Sequence, residues 1–256
     1  IRTGLCSITF RDLSPEEIVA LVAEARLDGI EWGGDVHVPH GDQQRGAEVR
    51  RMTEEAGLLV VSYGSYYRVG HDEPVPFEQV LDTAVSLNAP LIRVWAGKKG
   101  SEAADDAYGR SVVEDARRIT DMARQKGIDI AFEFHRNTLT DSNESARRLV
   151  EGVGEEACKT YWQIMVNRTL QYNLRGLNLL LPRLANIHAF YWDAEGNRQP
   201  LEEGKAAWND YLGVVADTPL DHCVLLEVVK DNTPEELLAD AATLQRDIDE
   251  QTWEDT

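Results

Sequence analysis

Two kinds of segment alternate from one end of this chain to the other, and that alternation constrains its fold more than any other feature. "GLCSITF" (4–10) is a short apolar run of strand length, and "SPEEIVALVAEARLDG" (14–29) follows with apolar residues at helical spacing. The pair recurs as "IEWGG" (30–34) with a helix near 45–56, "LLVVSYGS" (58–65) with one near 76–88, and "LIRVWAG" (91–97) with a long one near 103–126. In the second half, "IDIAFEF" (128–134) leads to a helix capped by Asp141 or Ser142, and "CKTYWQI" (158–164) to one near 169–182. "NIHAFYW" (186–192) precedes a helix near 201–216, and "HCVLLEVV" (222–229) precedes "TPEELLADAATLQRDID" (233–249). The helix starts carry their own punctuation. Ser14, Pro15 and Glu17 form a capping box with proline in the first turn, and Thr233, Pro234 and Glu236 repeat it.

Strands and helices in strict alternation imply a parallel sheet. Eight such units in 256 residues match a (β/α)8 TIM barrel. An open doubly wound sheet would carry a glycine-rich phosphate loop after its first strand, and none is present. No linker or low-complexity tract interrupts the pattern, so residues 1–256 read as a single barrel domain of the α/β class.

Charge narrows the partners. With 26 basic and 45 acidic residues the net charge is −19, which disfavours nucleic acid and anionic membranes but not a local pocket for a small anion. No apolar stretch approaches the roughly 20 residues of a membrane helix, and no signal peptide is visible. The three cysteines lack paired spacing and read as small buried hydrophobes in a reducing, cytoplasmic setting.

Barrel enzymes place their chemistry at the C-terminal ends of the strands. Strand two offers Glu31, with Asp35, His37 and His40 in its loop; strand four offers Arg93; strand five offers Glu133 and His135. Gln163 follows on strand six, His188 and Asp193 on strand seven, Glu227 and Lys230 on strand eight. A buried carboxylate is costly unless it is paired, hydrogen-bonded or bound to a metal. One polar residue in an apolar strand is ordinary packing, whereas four strands in succession point to a site, with structural salt bridges as the plainer alternative. Two glutamates, a histidine and an amide oxygen suit Mn²⁺, Mg²⁺, Co²⁺ or Zn²⁺ better than they suit a thiolate site.

On "GIEWGGDVH" (29–37), "IRVWAG" (92–97), "FEFHRNTLTDS" (132–142), "YWQ" (161–163), "IHAFYW" (187–192) and "LLEVVKDNTPEEL" (225–237), the chain resembles the sugar phosphate isomerase/epimerase family of the xylose isomerase-like TIM-barrel superfamily. That superfamily also holds ketose 3-epimerases, inosose dehydratases and hydroxypyruvate isomerases. The resemblance implies a divalent metal held by acidic residues on strands five and six, a histidine on strand seven and a glutamate on strand eight. The matching positions are Glu133, Gln163, His188 and Glu227, with Gln163 departing from the commoner aspartate. It also implies a small sugar or sugar-derived substrate and a possible homo-oligomer.

The activity expected is metal-dependent isomerisation or epimerisation of a ketose, keto-polyol or sugar phosphate. A proton leaves and returns through an enediolate, with Glu133 and Glu227 as the acid–base pair. An inosose-type dehydratase on the same site and a non-catalytic sugar-binding barrel are the alternatives; an endonuclease of this superfamily would need a basic face. Substrate contacts are expected from His135, Arg93, Lys230, His37 and Trp95. Arg93 and Lys230 also fit a role in neutralising the glutamates, and His135 fits a surface position. Trp95, like Trp32, Trp162 and Trp192, fits core packing as well as sugar stacking. Lys98 and Lys99 in "AGKKGS" (96–101) suit either an anion contact or a solvated loop.

Overall fold

Eight parallel strands close into a barrel in the computed structural model, which describes residues 1–154 and 156–253. In chain order they are β1 (Arg2–Cys6), β2 (Gly29–Gly33), β3 (Leu59–Arg68), β4 (Leu91–Trp95), β5 (Asp129–Phe132), β6 (Lys159–Gln163), β7 (Leu184–Ala189) and β8 (Cys223–Leu226). Each strand pairs with its chain neighbours, and β8 pairs back onto β1. Between them lie α1 (Pro15–Glu24), α2 (Gln43–Glu55), α3 (Phe77–Leu87), α4 (Asp106–Arg124), α5 (Asn143–Val153), α6 (Leu170–Leu180) and α7 (Lys205–Ala216). The last helix is α8 (Pro234–Trp253). Among the described residues, no helix is long and apolar enough to cross a membrane.

The caps account for where several helices start. Ser14 accepts from the Glu17 amide while the Glu17 carboxylate accepts from the Ser14 amide, completing the expected box. Ser142, rather than Asp141, caps α5; Asp141 instead accepts from the Ser101 amide at 2.9 Å. Thr233 accepts from the Glu236 amide at 3.3 Å.

Several strands differ from their expected bounds, and the differences that shape the site lie at the C-terminal mouth. β1 stops at Cys6, and Ser7–Phe10 turns as a short 3-10 segment. Its polar side chains explain the turn: the Ser7 hydroxyl accepts from the Gly33 amide at 2.9 Å, and the Thr9 hydroxyl accepts from the Val228 amide at 3.1 Å. The run expected at 186–192 divides, and Tyr191–Trp192 pairs with Arg198–Gln199 in an antiparallel hairpin above the barrel. β5 and β8 end one residue before Glu133 and Glu227, yet those amides still bond to Val94 and Ala189 of the neighbouring strands, each at 3.0 Å.

Alternation along each strand sorts the barrel into two layers. Outward residues such as Ile92, Val94, Ile130, Phe132, Ile187 and Val224 are fully buried in the main core shared with the helices. Each such side chain contributes about 1.5–3 kcal/mol through burial. Inward residues Leu91, Ala131, Tyr161, Cys223 and Leu225 form a separate small cluster across the barrel floor. Two residues further along the same faces come Arg93, Glu133, Gln163 and Glu227. An apolar floor therefore carries a polar layer directly above it.

Candidate active site and metal centre

Register brings the polar layer together. Gln163 on β6 stands beside His188 on β7, and Glu133 and Glu227 enter from the ends of β5 and β8. His188 Nδ1 lies 3.2 Å from Gln163 Oε1, 3.4 Å from Glu227 Oε2 and 3.9 Å from Glu133 Oε1. Ligand atoms of Glu133, His188 and Glu227 all fall within 4.8 Å of one another. The four residues expected to hold a metal thus converge on one point.

The donor set fits a divalent cation. Three oxygens face a single imidazole nitrogen, and one proton cannot satisfy them all. Buried carboxylates this close repel unless positive charge lies between them. Burial alone would push the His188 imidazole down, but Glu227 and Glu31 draw its proton affinity above the ordinary value. Burial raises the Glu227 carboxyl; His188 opposes this and Glu133 adds to it. The same pull that holds a proton here attracts a metal, which competes for that nitrogen. Two carboxylates, an amide oxygen and an imidazole make a mixed oxygen and nitrogen shell of the kind Mn²⁺, Mg²⁺ or Zn²⁺ accepts.

Below this point lies a buried charged network. Arg93, 1% exposed, donates from Nε to Glu31 Oε1 at 2.8 Å and from Nη1 to Glu133 Oε2. Trp95 Nε1 donates to the same Glu133 oxygen. Of the two roles open to Arg93, the structure displays the neutralising one, with its guanidinium also lying 4.8 Å over the Tyr66 ring. Burial would raise the Glu31 carboxyl, but Arg93 and His188 overturn that and hold it well below the usual carboxylate range. Gly64 makes room for the pair: a Cβ there would meet Arg93 Nη2 at 2.7 Å and Glu31 Oε1 at 3.1 Å.

Above the convergence point opens a cavity of about 550 Å³, whose lining includes Glu133, His135, Arg136, Gln163, Arg198 and Glu227. His135 Nδ1 sits 2.7 Å from the Arg136 carbonyl. A carbonyl only accepts, so Nδ1 carries the proton and Nε2 is left as an acceptor. The ring stacks on Trp95, with centroids 4.7 Å apart and planes 21° apart.

Other expected contacts lie elsewhere. His37 is buried beside the Ser7 hydroxyl at 3.0 Å and edge-on to Trp32, outside the cavity lining. Lys230 falls in a short turn after β8 and does not line the cavity either. Lys98 pairs with Glu73 at 2.9 Å, and Lys99 lies over the Tyr108 ring. Trp32 and Trp162 are core residues, whereas Trp192 lines the cavity. Arg136 and Arg198 escaped the sequence reading. Arg136 sits in a loop and Arg198 in a two-residue strand, both too short of periodic context to mark direction.

A family model described as xylose isomerase-like TIM barrel matches residues 19–248. The 3-dehydroshikimate dehydratase of Bacillus anthracis is 25% identical over 272 residues, covering 95% of this chain and 96% of that protein. Solved structures with the same fold include the probable 3-DHS dehydratase AsbF of Bacillus anthracis, described as involved in petrobactin synthesis. It matches with TM-score 0.82 and 23% identity, over 96% of this chain and 99% of that one. A xylose isomerase-like barrel protein of Mycobacterium smegmatis in complex with magnesium gives TM-score 0.77 at 15% identity, over 98% and 97%. A D-psicose 3-epimerase gives 0.71 at 16%, over 96% and 98%. A relative matched over nearly its full length is thus a dehydratase, the alternative class, where isomerisation or epimerisation is the first expectation. With a closed eight-strand barrel and a family model spanning most of its length, the chain belongs to the xylose isomerase-like TIM-barrel family.

Proposed function

We propose that this protein is a cation-dependent lyase that dehydrates a hydroxylated keto acid of the 3-dehydroshikimate type. The observation that carries this reading is the four-ligand convergence beneath a cavity whose wall holds one imidazole acceptor and two guanidinium groups. Glu133, Gln163, His188 and Glu227 would hold a divalent ion, which would supply Lewis acidity toward the substrate carbonyl. His135 Nε2 takes the proton from the carbon next to that carbonyl. The C–H pair becomes a C=C bond, the β-hydroxyl leaves, and the His135 proton departs with it as water. Such acid–base transfer contributes on the order of 10²–10⁴ in rate.

The two glutamates expected to act as a symmetric pair are unequal. One Glu133 oxygen is occupied by Arg93 and Trp95, which suits a fixed ligand. Among the described residues Glu227 has no comparable clamp, and its side chain is 13% exposed. One freer carboxylate and one imidazole favour a one-base elimination over proton transfer on two faces by matched glutamates. Arg136 and Arg198 are assigned to the substrate carboxylate. Arg198 Nη1 is held by Asn232 at 3.0 Å, leaving the rest of its fork for a ligand.

The test is direct. Loss of water from 3-dehydroshikimate gives an aromatic dihydroxy acid after enolisation, so near-ultraviolet absorbance reports turnover. Activity is expected with Mn²⁺ or Mg²⁺ and is expected to stop with chelator. If that substrate is inert while D-psicose or D-fructose exchanges a carbon-bound proton in D₂O, the protein is an epimerase and the lyase reading is wrong.

A further inference from the structure

The opposite nitrogen of His188 faces a second carboxylate that the proposed reaction does not use. Glu31 Oε1 lies 3.4 Å from His188 Nε2, on the far side of the ring from the ligand cluster. Both side chains are fully buried; Nε2 meets no hydrogen-bond partner among the described residues, and Glu31 Oε1 at 3.4 Å is the carboxylate oxygen that faces it. We propose that Glu31 is a positioning residue: it holds the Nε2–H tautomer of His188, so that Nδ1 presents its lone pair to the cation site. The inference rests on reading Glu133, Gln163, His188 and Glu227 as that site.

Glu31 is built to stay still. Oε1 accepts from Arg93 Nε at 2.8 Å and lies 3.1 Å from Cys6 Sγ, while Oε2 accepts from Ser62 Oγ at 2.7 Å. Ser62 is held in turn by Tyr161 at 2.8 Å, and Tyr161 by Asn186 at 2.9 Å. Strands β1, β3, β4, β6 and β7 therefore all brace the one carboxylate that β2 carries. A neutral imidazole has one proton; a cation at the Nδ1 side would leave that nitrogen none, and the anion beside Nε2 would then hold it there. The other tautomer would point an N–H at the cation position and could not ligate.

A second metal beside Nε2 is the competing use, since Cys6, Glu31 and His188 also cluster within 4.8 Å. Arg93 argues against it, because its guanidinium already supplies the positive charge at Glu31. Burial, and then Glu31 itself, also raise the Cys6 thiol well above its ordinary value, which disfavours a thiolate beside this carboxylate.

The test is Mn²⁺ titration of the full chain, freed of metal, followed by calorimetry for wild type and variants. Glu31→Ala is expected to weaken Mn²⁺ binding ten- to a hundred-fold. Glu31→Gln keeps an acceptor oxygen and is expected to restore most of that loss. In a His188→Ala background, Glu31→Ala is expected to cost less than about threefold more. Equal losses in both backgrounds, or no rescue by Gln, would overturn the assignment. Should Glu31→Ala fail to fold, nitrogen-15 spectra of the Zn²⁺-loaded wild type decide alone: a proton on Nε2 supports the proposal, and a proton on Nδ1 ends it. Absence of any Mn²⁺ binding in wild type would instead sink the cation-site reading itself.

Discussion

The two mouths of the barrel use the same residue types for opposite ends. At the N-terminal mouth a cavity of about 660 Å³, larger than the one above His188, is lined by Arg2, Asp28, Asp129, Lys159 and Asp221 among others. Its ion pairs lie at the rim: Arg2–Asp221 at 2.8 Å and Lys159–Asp129 at 2.7 Å, every partner about half exposed. Pairs of that kind contribute roughly 0–1 kcal/mol. At the C-terminal mouth Glu31, Arg93, Glu133 and His188 are at most 4% exposed and aim at each other. Cavity volume therefore does not locate the chemistry. Buried, convergent charge marks the candidate site instead.

Backbone conformation separates the mouths too. Arg26 and Asn88 have positive φ where α1 and α3 have ended, an ordinary use of the left-handed region. The C-terminal mouth holds Tyr66, Asn137, Asn167, Val228, Asp231 and Asn232 in that region. Val228, at φ 54°, is β-branched and directly follows Glu227. Such strain costs on the order of 1–3 kcal/mol and persists at sites whose surroundings over-determine it.

The contrast breaks most visibly on activity. Glu133→Gln and Glu227→Gln are each expected to lower turnover by about 10²–10⁴-fold, with circular dichroism unchanged. Asp221→Asn at the opposite mouth is expected to leave kcat as it is. Comparable losses at both mouths would mean that the glutamates' effect is not specific to the C-terminal mouth. His188→Ala is expected to lower bound metal and activity together, and full metal occupancy in that variant would make the histidine structural.

Stability supplies the next test. Arg93→Ala strands two buried carboxylates and is expected to cost about 3–5 kcal/mol in urea unfolding. Arg2→Ala at the rim is expected to stay within about 1 kcal/mol.

These contrasts were unequally legible in the sequence. The barrel was readable because strand and helix periods alternate without a break. Glu133, Gln163, His188 and Glu227 stood out as polar residues on otherwise apolar strands. What they touch was not readable. Glu31 was visible at a strand end, but its approach to His188 depends on closure of the sheet, which no local pattern encodes. Arg93 had two roles open until its distances to Glu31 and Glu133 were known. His37 sits in a loop, and its burial under Ser7–Phe10 follows from a turn that the apolar run concealed.

Gln163→Asp sharpens the ligand set. The added charge is expected to tighten Mn²⁺ binding by about tenfold, even though the side chain is one methylene shorter. Turnover is expected to move the other way, since a more neutralised ion polarises a carbonyl less. Equal dissociation constants for wild type and variant would remove Gln163 from the shell and leave Glu133, His188 and Glu227.

The smallest effect contrasts the buried histidines of the two mouths. His222, 1% exposed, accompanies the N-terminal cavity, with Nδ1 on the Ala185 carbonyl at 3.0 Å and Nε2 unpartnered among the described residues. Burial pushes its pKa below the ordinary value; the Ala185 carbonyl and Asp221 oppose that, and Lys159 adds slightly to it. His188 is displaced the other way by its carboxylates. The signs decide the experiment. A histidine with a depressed folded-state pKa binds fewer protons folded than unfolded, so its contribution is present above pH 6.5 and is lost as pH falls below that value. His222→Gln keeps a donor for Ala185 and removes the titration. Urea midpoints measured at pH 7.5 and 5.5 are expected to differ less for the variant than for the wild type, whatever its stability at pH 7.5. An unchanged difference would mean that water reaches Nε2, and that the N-terminal mouth is wet even where its side chains are buried.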